Sequence, residues 1–466
     1  MIRDPGAVLL VSCYELGHQP LATAQAAAFL RRDGFQPVQL DLAQNGLTAE
    51  LARRAEVIAL SVPMHTALRV GVEAARHARA LNPALEIGFF GHYAWLNREY
   101  LRDGLADWVL AGESEEALVA HLTQRGPAGE AMPETPVLRR LEYPVPDRSG
   151  LPALDRYVQL EHQGRRVPAG YVEGSRGCLH LCRHCPIPPV YGGRFFALPV
   201  ETVLADIRAQ VEAGAGHITF GDPDFLNGPG HARRLAQALH QEFPSITFDF
   251  TAKVEHLLRH RALLPELARA GALFVVSAVE SLSDTVLTHL EKGHTAADVF
   301  ETLAITRETG IALRPSLVAF TPWTTLDDYV ELVEFVADQG LTRHIDPIQL
   351  AIRLLVPPGS GLLDRPAIQP FLGALDRARL GYQWTHPDPR MDALSVAVSA
   401  LVEKGTRDGE APEAIVESIR AAALSVREGR SVSPRPVPAA GADVPRLTES
   451  WFCCAEPAPE QLVTLR

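Results

Sequence analysis

Apolar and polar positions along the first 130 residues switch between two periods. Short apolar runs at Ala7–Tyr14, Pro37–Leu42, Glu56–Val62, Glu86–Gly91 and Asp107–Gly112 read as buried strands. Between them, Ala/Arg/Leu-rich stretches such as Ala22–Arg32 and Val70–Leu81 carry helical spacing. That alternation predicts an α/β fold, a Rossmann-like doubly wound parallel sheet over residues 1–130. Ligands of such sheets bind at the carboxyl ends of the strands. This places Cys13, Leu16 to His18, Ser61 to His65, Gly91 to Tyr93 and Gly112 to Ser114 on the rim.

Pro and Gly then accumulate (Gly126–Pro136, Tyr143 to Leu154) and mark residues 131–166 as a linker. From 167 to 360 the alternation resumes. Strands are predicted at Ala169–Ser175, His217–Gly221, Thr247–Lys253, Ala272–Glu280, Ala312–Phe320 and Asp346–Leu355. Helices such as Thr202–Ala213, His231–Glu242, Asp298–Thr309 and Leu326–Gln339 separate them. Six strand–helix units are too few for the eight-fold barrel, so an open (β/α)6 partial TIM barrel is predicted. Residues 361–430 read as a helical C-terminal region. Residues 431–466 read as a Pro-rich flexible spacer and tail.

At 466 residues the chain suffices for two or three domains, and its 47% hydrophobic and 21% charged residues describe a soluble globular protein. No apolar run approaches the ~18 residues of a membrane span. The amino terminus enters a strand directly, so no signal peptide is expected. A net charge of −12 argues against a nucleic-acid partner. Six cysteines without a disulfide framework suit a reducing cytoplasm. Walker and G-x-G-x-x-G loops are absent from any strand-to-helix context.

The strongest chemical signal is the run Gly177-Cys-Leu-His-Leu-Cys-Arg-His-Cys-Pro186. Its C-x3-C-x2-C spacing packs Cys178, Cys182 and Cys185 into one loop after the first barrel strand. Such a loop can offer three thiolates to a [4Fe-4S] cluster and leave one iron open. The competing reading is a zinc site with His180 or His184 as fourth ligand. Zinc sites usually pair two separated C-x2-C units, and no second one exists here.

The cysteine spacing resembles the signature of radical S-adenosylmethionine (SAM) enzymes, in which SAM chelates the open iron and an electron from the cluster breaks a C–S bond. The order of domains resembles the members that carry an N-terminal cobalamin-binding-type domain, over about residues 5–360. Phe220-Gly-Asp-Pro-Asp-Phe225 stands where that group carries an acidic turn, which implies Gly221, Asp222 and Asp224 near the SAM ammonium. Ala278-Val-Glu-Ser281 resembles its Gly-x-Glu-Ser turn, which implies Glu280 and Ser281 beside the SAM ribose or amino-acid portion. Leu290-Glu-Lys-Gly-His-Thr295 resembles its Lys-Gly segment. Lys253, Arg314 and Arg353 end three predicted strands, where they would meet an anionic group. Cobalamin domains often carry D-x-H-x-x-G after the first strand. The loop Cys13 to Pro20 does not match it, so His18 is not expected to ligate cobalt, and cobalamin itself stays an open expectation.

The end of the chain, Ser450-Trp-Phe-Cys-Cys-Ala-Glu-Pro457, is the second signal. Vicinal cysteines make a strained disulfide and suit a soft thiophilic atom or a redox step. The segment resembles the tail of the CUAEP/CCAEP-tail radical SAM (seleno)proteins, in some of which the position of Cys454 is selenocysteine. The family includes an activity of arsinothricin biosynthesis that moves the 3-amino-3-carboxypropyl group of SAM to arsenite. The resemblance implies catalytic roles for Cys453 and Cys454, a small-molecule acceptor such as arsenite, and a flavodoxin or ferredoxin as reductant. Two rival expectations stand beside it: a cobalamin-dependent radical SAM methyltransferase, and a non-catalytic cluster protein that sequesters a metalloid or senses redox state.

Overall fold

The computed structural model describes residues 2–124, 132–437 and 443–449. The first sheet holds β1 (Val8–Ser12), β2 (Val38–Asp41), β3 (Val57–Ser61), β4 (Glu86–Phe90) and β5 (Trp108–Leu110), all parallel, in the order β2-β1-β3-β4-β5. β1 and β3 are buried along their whole length, which is why they read as unbroken apolar runs. The strand order reverses between them, so the crevice of this domain lies at their carboxyl ends.

The second sheet is a curled half-barrel. It contains β6 (Gln159–His162), β7 (Arg165–Val172), β10 (His217–Phe220), β11 (Thr247–Thr251), β12 (Ala272–Glu280), β13 (Ala312–Leu317) and β16 (Arg446–Leu447), in the order β13-β12-β11-β10-β7-β6-β16. Two short strands, β8 (Ser175–Gly177) and β9 (Phe195–Ala197), pair antiparallel and clasp the loop that leaves β7. A hairpin, β14 (Leu372–Asp376) with β15 (Gly381–Trp384), precedes two long helices, Pro389–Arg407 and Pro412–Glu428.

Three expectations need correction. The barrel has five parallel strands, β7 and β10 to β13; the sixth, predicted over Asp346–Leu355, is a 3-10 turn at Pro347–Ala351 followed by a single bridge between Phe320 and Arg353. Pro347 lacks a ladder donor, and the Gln349 side chain accepts the Leu317 N–H (3.0 Å) in place of a strand. Residues 361–430 are not all helical, because Asp376 accepts from the N–H groups of Ala378 and Arg379 and turns the chain into the β14–β15 hairpin. The sequence pattern also missed β6 and β16, which extend the sheet beyond β7. β16 runs antiparallel to β6, and β6 to β7, so β16 points toward the carboxyl-end face.

The linker is a structural joint. Arg148 donates from Nε and Nη2 to the two Asp206 oxygens (both 2.8 Å), from Nη2 to the Tyr171 carbonyl (2.7 Å) and from Nη1 to the Gln19 carbonyl (3.3 Å). One guanidinium therefore ties the first sheet's β1 loop to the barrel, with 10% and 3% exposure for the two side chains. No helix among the described residues is long and apolar enough to cross a membrane. Removing one partner of a buried pair strands the other charge. Asp206→Ala should therefore cost about 3–5 kcal/mol in urea unfolding; a change below about 1 kcal/mol would show that the joint carries little stability.

Candidate functional site

The three-cysteine loop begins at Gly177, whose φ of 77° and close approach to the Arg194 carbonyl (2.4 Å from a built Cβ) admit glycine alone. The loop is held from several sides. Cys185 N–H donates to the Cys182 carbonyl (3.2 Å), Arg183 N–H to the Leu290 carbonyl (3.0 Å), and Leu179 N–H to Asn227 Oδ1 (3.2 Å). Cys178 and Cys182 are buried and Cys185 is half-buried, and all three are free thiols. Burial pushes the Cys178 thiol up to about 11 and the Cys185 thiol higher still. A triplet of unpaired thiols in so dry a place matches a cationic cluster that takes them as thiolates. Two further features support that fit. Asn227 Oδ1 lies 3.8 Å from Cys178 Sγ, and its Nδ2 is buried with no partner among the described residues. The fully buried ammonium of Lys292 also feels the thiols of Cys182 and Cys185.

Lys292 is fixed by Glu280. Glu280 sits at the carboxyl end of β12, after a register shift, in the left-handed region at φ 65°. Its Oε1 meets Lys292 Nζ at 3.1 Å and His184 Nε2 at 3.2 Å. Burial opposes ionisation, yet Lys292 and the His184 hydrogen bond hold the Glu280 carboxyl down at about 2. Ser281 follows and accepts the Ser283 N–H through its hydroxyl (3.1 Å).

The acidic turn is committed to protein partners. Asp222 accepts from Gly174 N–H (2.7 Å) and the Ser175 hydroxyl (2.6 Å), and burial lifts its carboxyl to about 7. Asp224 accepts from Leu226 N–H (2.9 Å) and Lys253 N–H (3.2 Å), and its Oδ2 lies 2.9 Å from His256 Nδ1. Gly221 has no room for a side chain, because a Cβ would stand 2.0 Å from the Tyr171 ring. Lys253 reaches the site, with Nζ 3.1 Å from His180 Nδ1.

Arg314 and Arg353 are not brought there. Arg314 is the third residue of β13, and its guanidinium bonds to the carbonyls of Arg343 and Pro445 (both 3.4 Å). It lines a cavity of about 520 Å³ with Arg165, Arg343 and Arg446, at the amino-terminal end of the half-barrel. Arg353 turns outward to Asp392 (2.7 Å) and lies over the Trp384 ring (3.9 Å). Arg353 was misplaced because the sixth strand is absent, and Arg314 because it stands early in β13 rather than at its carboxyl end. His180 entered the sequence reading only as a possible fourth zinc ligand, and His256, Asn227 and Lys292 were given no role; His256 and Asn227 had a usable signal, since each lies in the loop region after a strand's carboxyl end.

In the N-terminal domain His18 packs against Tyr171 (4.6 Å between centroids), and burial lowers it to about 3. Ser12 and Ser61 end the paired strands β1 and β3, and Ser12 Oγ is buried without a partner among the described residues. That polar spot lies at the switch point, where a bound ligand would be expected. Over β5, Glu113 takes hydrogen bonds from Tyr143 and Tyr191, and Arg176 pairs with Glu115 (2.5 Å) and Glu173 (3.0 Å), joining the rim to the barrel. Cys453 and Cys454 lie outside the described residues.

With this geometry in view, the comparisons are consistent. Residues 172–341 match the radical SAM superfamily. The half-barrel and its three-cysteine loop are therefore a radical SAM domain, an enzyme class whose cofactors are a [4Fe-4S] cluster and SAM. Among curated relatives, a putative methylthiotransferase of Methanocaldococcus jannaschii is 23% identical over 196 residues, 39% of this chain and 42% of that protein. The ribosomal protein uS12 methylthiotransferase RimO of Anaeromyxobacter sp. (strain Fw109-5) is 27% identical over 220 residues, 44% of each chain. The matched stretch thus spans less than half of these relatives. Among solved structures, the cobalamin-dependent SAM radical enzyme OxsB, with aqua-cobalamin bound, superposes with a TM-score of 0.65 at 17% identity, covering 86% of this chain and 67% of that one. The radical SAM methyltransferase TsrM from Kitasatospora setae, with cobalamin and a [4Fe-4S] cluster bound, gives 0.54 at 17% identity, covering 72% and 70%. The two-domain fold is therefore shared with OxsB and TsrM.

The Glu280 carboxyl lies below its ordinary 4.5, so its ion pair with Lys292 and hydrogen bond with His184 stabilise the fold above that pH and are lost as pH falls toward 2. Glu280→Gln should be less stable than wild type at pH 7, and the gap should narrow as pH drops from about 4.5 toward 2. Urea unfolding of the cluster-free proteins checks this; a gap independent of pH would contradict it.

Proposed function

We propose that this chain is a radical SAM transferase that reductively cleaves SAM and passes one of its carbon fragments to a small-molecule acceptor. The observation that carries this reading is the three-cysteine loop at the carboxyl-end face of the half-barrel, with Lys292 and Glu280 beneath it. A [4Fe-4S] cluster held by Cys178, Cys182 and Cys185 would supply the reducing electron to SAM. The chain's own residues do the rest. Lys292 offsets the negative charge of the thiolates. Glu280 fixes both Lys292 and His184 and, with Ser281 and Gly221, shapes the wall that SAM would meet. The Glu113–Arg176 network keeps the N-terminal rim seated on the barrel and limits water at its edge. Leu179 and Leu181, 47% and 52% exposed on the cluster loop, offer apolar surface to a flavodoxin or ferredoxin.

Methyl transfer with cobalamin at the β1–β3 crevice is the reading that the OxsB and TsrM likenesses support. A second reading, transfer of the 3-amino-3-carboxypropyl group to a thiophile such as arsenite, draws support from the tail. Thr448 N–H bonds to the Gln159 carbonyl (2.8 Å) and Glu449 meets Tyr14, so β16 leads the chain to the loop after β1. Cys453 and Cys454 follow in the chain, outside the described residues.

Reconstituted protein, dithionite and SAM, with and without hydroxocobalamin and arsenite, should separate the two by mass spectrometry. S-adenosylhomocysteine that rises with cobalamin is the outcome for methyl transfer. Methylthioadenosine with an aminocarboxypropyl–arsenic product, lost in the Cys453→Ser/Cys454→Ser double variant, is the outcome for the second reading. Absence of any SAM cleavage would overturn both.

A further inference from the structure

Three side chains beside the cluster loop converge without a role in the chemistry above. His180 lies between Cys178 and Cys182, Asp224 on the turn after β10, and His256 in the first turn of the helix Val254–Arg259 after β11. His180 Nε2 and His256 Nδ1 are 3.4 Å apart, His256 Nδ1 and Asp224 Oδ2 2.9 Å, and His180 Nε2 and Asp224 Oδ2 3.6 Å. The side chains are 13%, 0% and 5% exposed for His180, Asp224 and His256. Ligand atoms on a tetrahedral ion with bonds of about 2.0–2.1 Å stand roughly 3.3 Å apart, and those on an octahedral ion roughly 3.0 Å. Two edges of the observed triangle, 2.9 and 3.4 Å, match those values, and the third, 3.6 Å, is about 0.3 Å longer than the tetrahedral edge.

From this triangle we infer a mononuclear divalent-metal site, His180–Asp224–His256, separate from the cysteine cluster. Two imidazoles and one carboxylate suit Zn²⁺ or Fe²⁺ rather than a soft metalloid, which would seek thiolates. Three protein ligands leave at least one position for water or a substrate oxygen, as catalytic rather than structural sites do. The surroundings support the ligand atoms. Asp224 Oδ1 accepts Leu226 N–H, which sets the carboxylate so that Oδ2 faces the histidines. Ligation through His180 Nε2 puts its hydrogen on Nδ1, whose nearest carboxylate oxygen, Glu255 Oε2, lies 3.6 Å away, just beyond hydrogen-bond distance. Lys253 Nζ, now 3.1 Å from that Nδ1, has Glu255 as an alternative partner at 3.5 Å. Because His180 belongs to the cluster loop, an acceptor oxygen held on this ion would be placed next to the space where SAM is cleaved.

Metal content tests the inference independently of turnover. The cluster-loaded protein is equilibrated anaerobically with excess Zn²⁺, desalted, and measured for zinc and iron by mass spectrometry. About one zinc per chain beside a full cluster complement of iron is expected. The Cys453→Ser/Cys454→Ser variant should keep that zinc. His180→Ala and His256→Gln should each lose at least nine-tenths of it while keeping iron and circular dichroism. His180 lies at the edge of the site, so its truncation tests ligation even if His256→Gln folds poorly. Wild-type protein that retains no zinc, zinc that both histidine variants retain, or zinc that disappears with the tail cysteines would each overturn the site.

Discussion

Burying three cysteines together costs little as thiols, but holding them as thiolates is unfavourable unless positive charge meets them, and the half-barrel is organised around that requirement. Lys292 is the group that answers it. It is fully buried, so its own charge needs a partner, and Glu280 supplies one at 3.1 Å. Glu280 reaches that place only because β12 slips register at its end and the residue takes φ 65°. Backbone strain at a non-glycine residue costs on the order of 1–3 kcal/mol and persists where the surroundings over-determine it. Here the Lys292 ion pair and the His184 hydrogen bond do so. The strained turn and the cysteine loop are thus two sides of one electrostatic balance.

The same logic joins the domains. Arg148, Asp206 and Gln19 form one joint, and Arg176 with Glu113, Glu115 and Glu173 forms another. Both are largely dry, where charge pairing is strongly directional. Together they hold the carboxyl-end rim of the first sheet over the carboxyl-end face of the second. A crevice shared by the two faces follows from these contacts rather than from apolar packing alone.

Most of the architecture was legible in the pattern of apolar runs, because parallel strands buried on both faces leave a strong trace. β1 to β5, β7 and β10 to β13 lie where those runs fall. The sixth barrel strand failed because Asp346–Leu355 has the right composition but Pro347 breaks its ladder, and Gln349 satisfies the edge by a side chain. β16 escaped because its partner is far away in sequence, Arg446 pairing with Glu161; β6, joined to β7 by the Gln163–Gly164 turn, escaped because its polar residues form no apolar run. The cysteine loop was fully legible, being local. The environment of Asp224 was not, since it draws on residues from three separate βα loops.

That last point bears on how the acidic turn works. A carboxylate free to hold a ligand ammonium needs an oxygen that faces open space. Asp222 spends both oxygens on Gly174 and Ser175, so it acts by fixing the strand that feeds the cysteine loop. Asp224 spends Oδ1 on its own turn, and its Oδ2 accepts Lys253 N–H while facing two histidines. The geometry at Oδ2 is that of a ligand triangle rather than a single hydrogen bond. Whatever occupies that point is held jointly by the cluster loop, β10 and β11, and its position is therefore coupled to that of the thiols. A group placed there is presented to the cluster by the fold itself, not by a flexible arm.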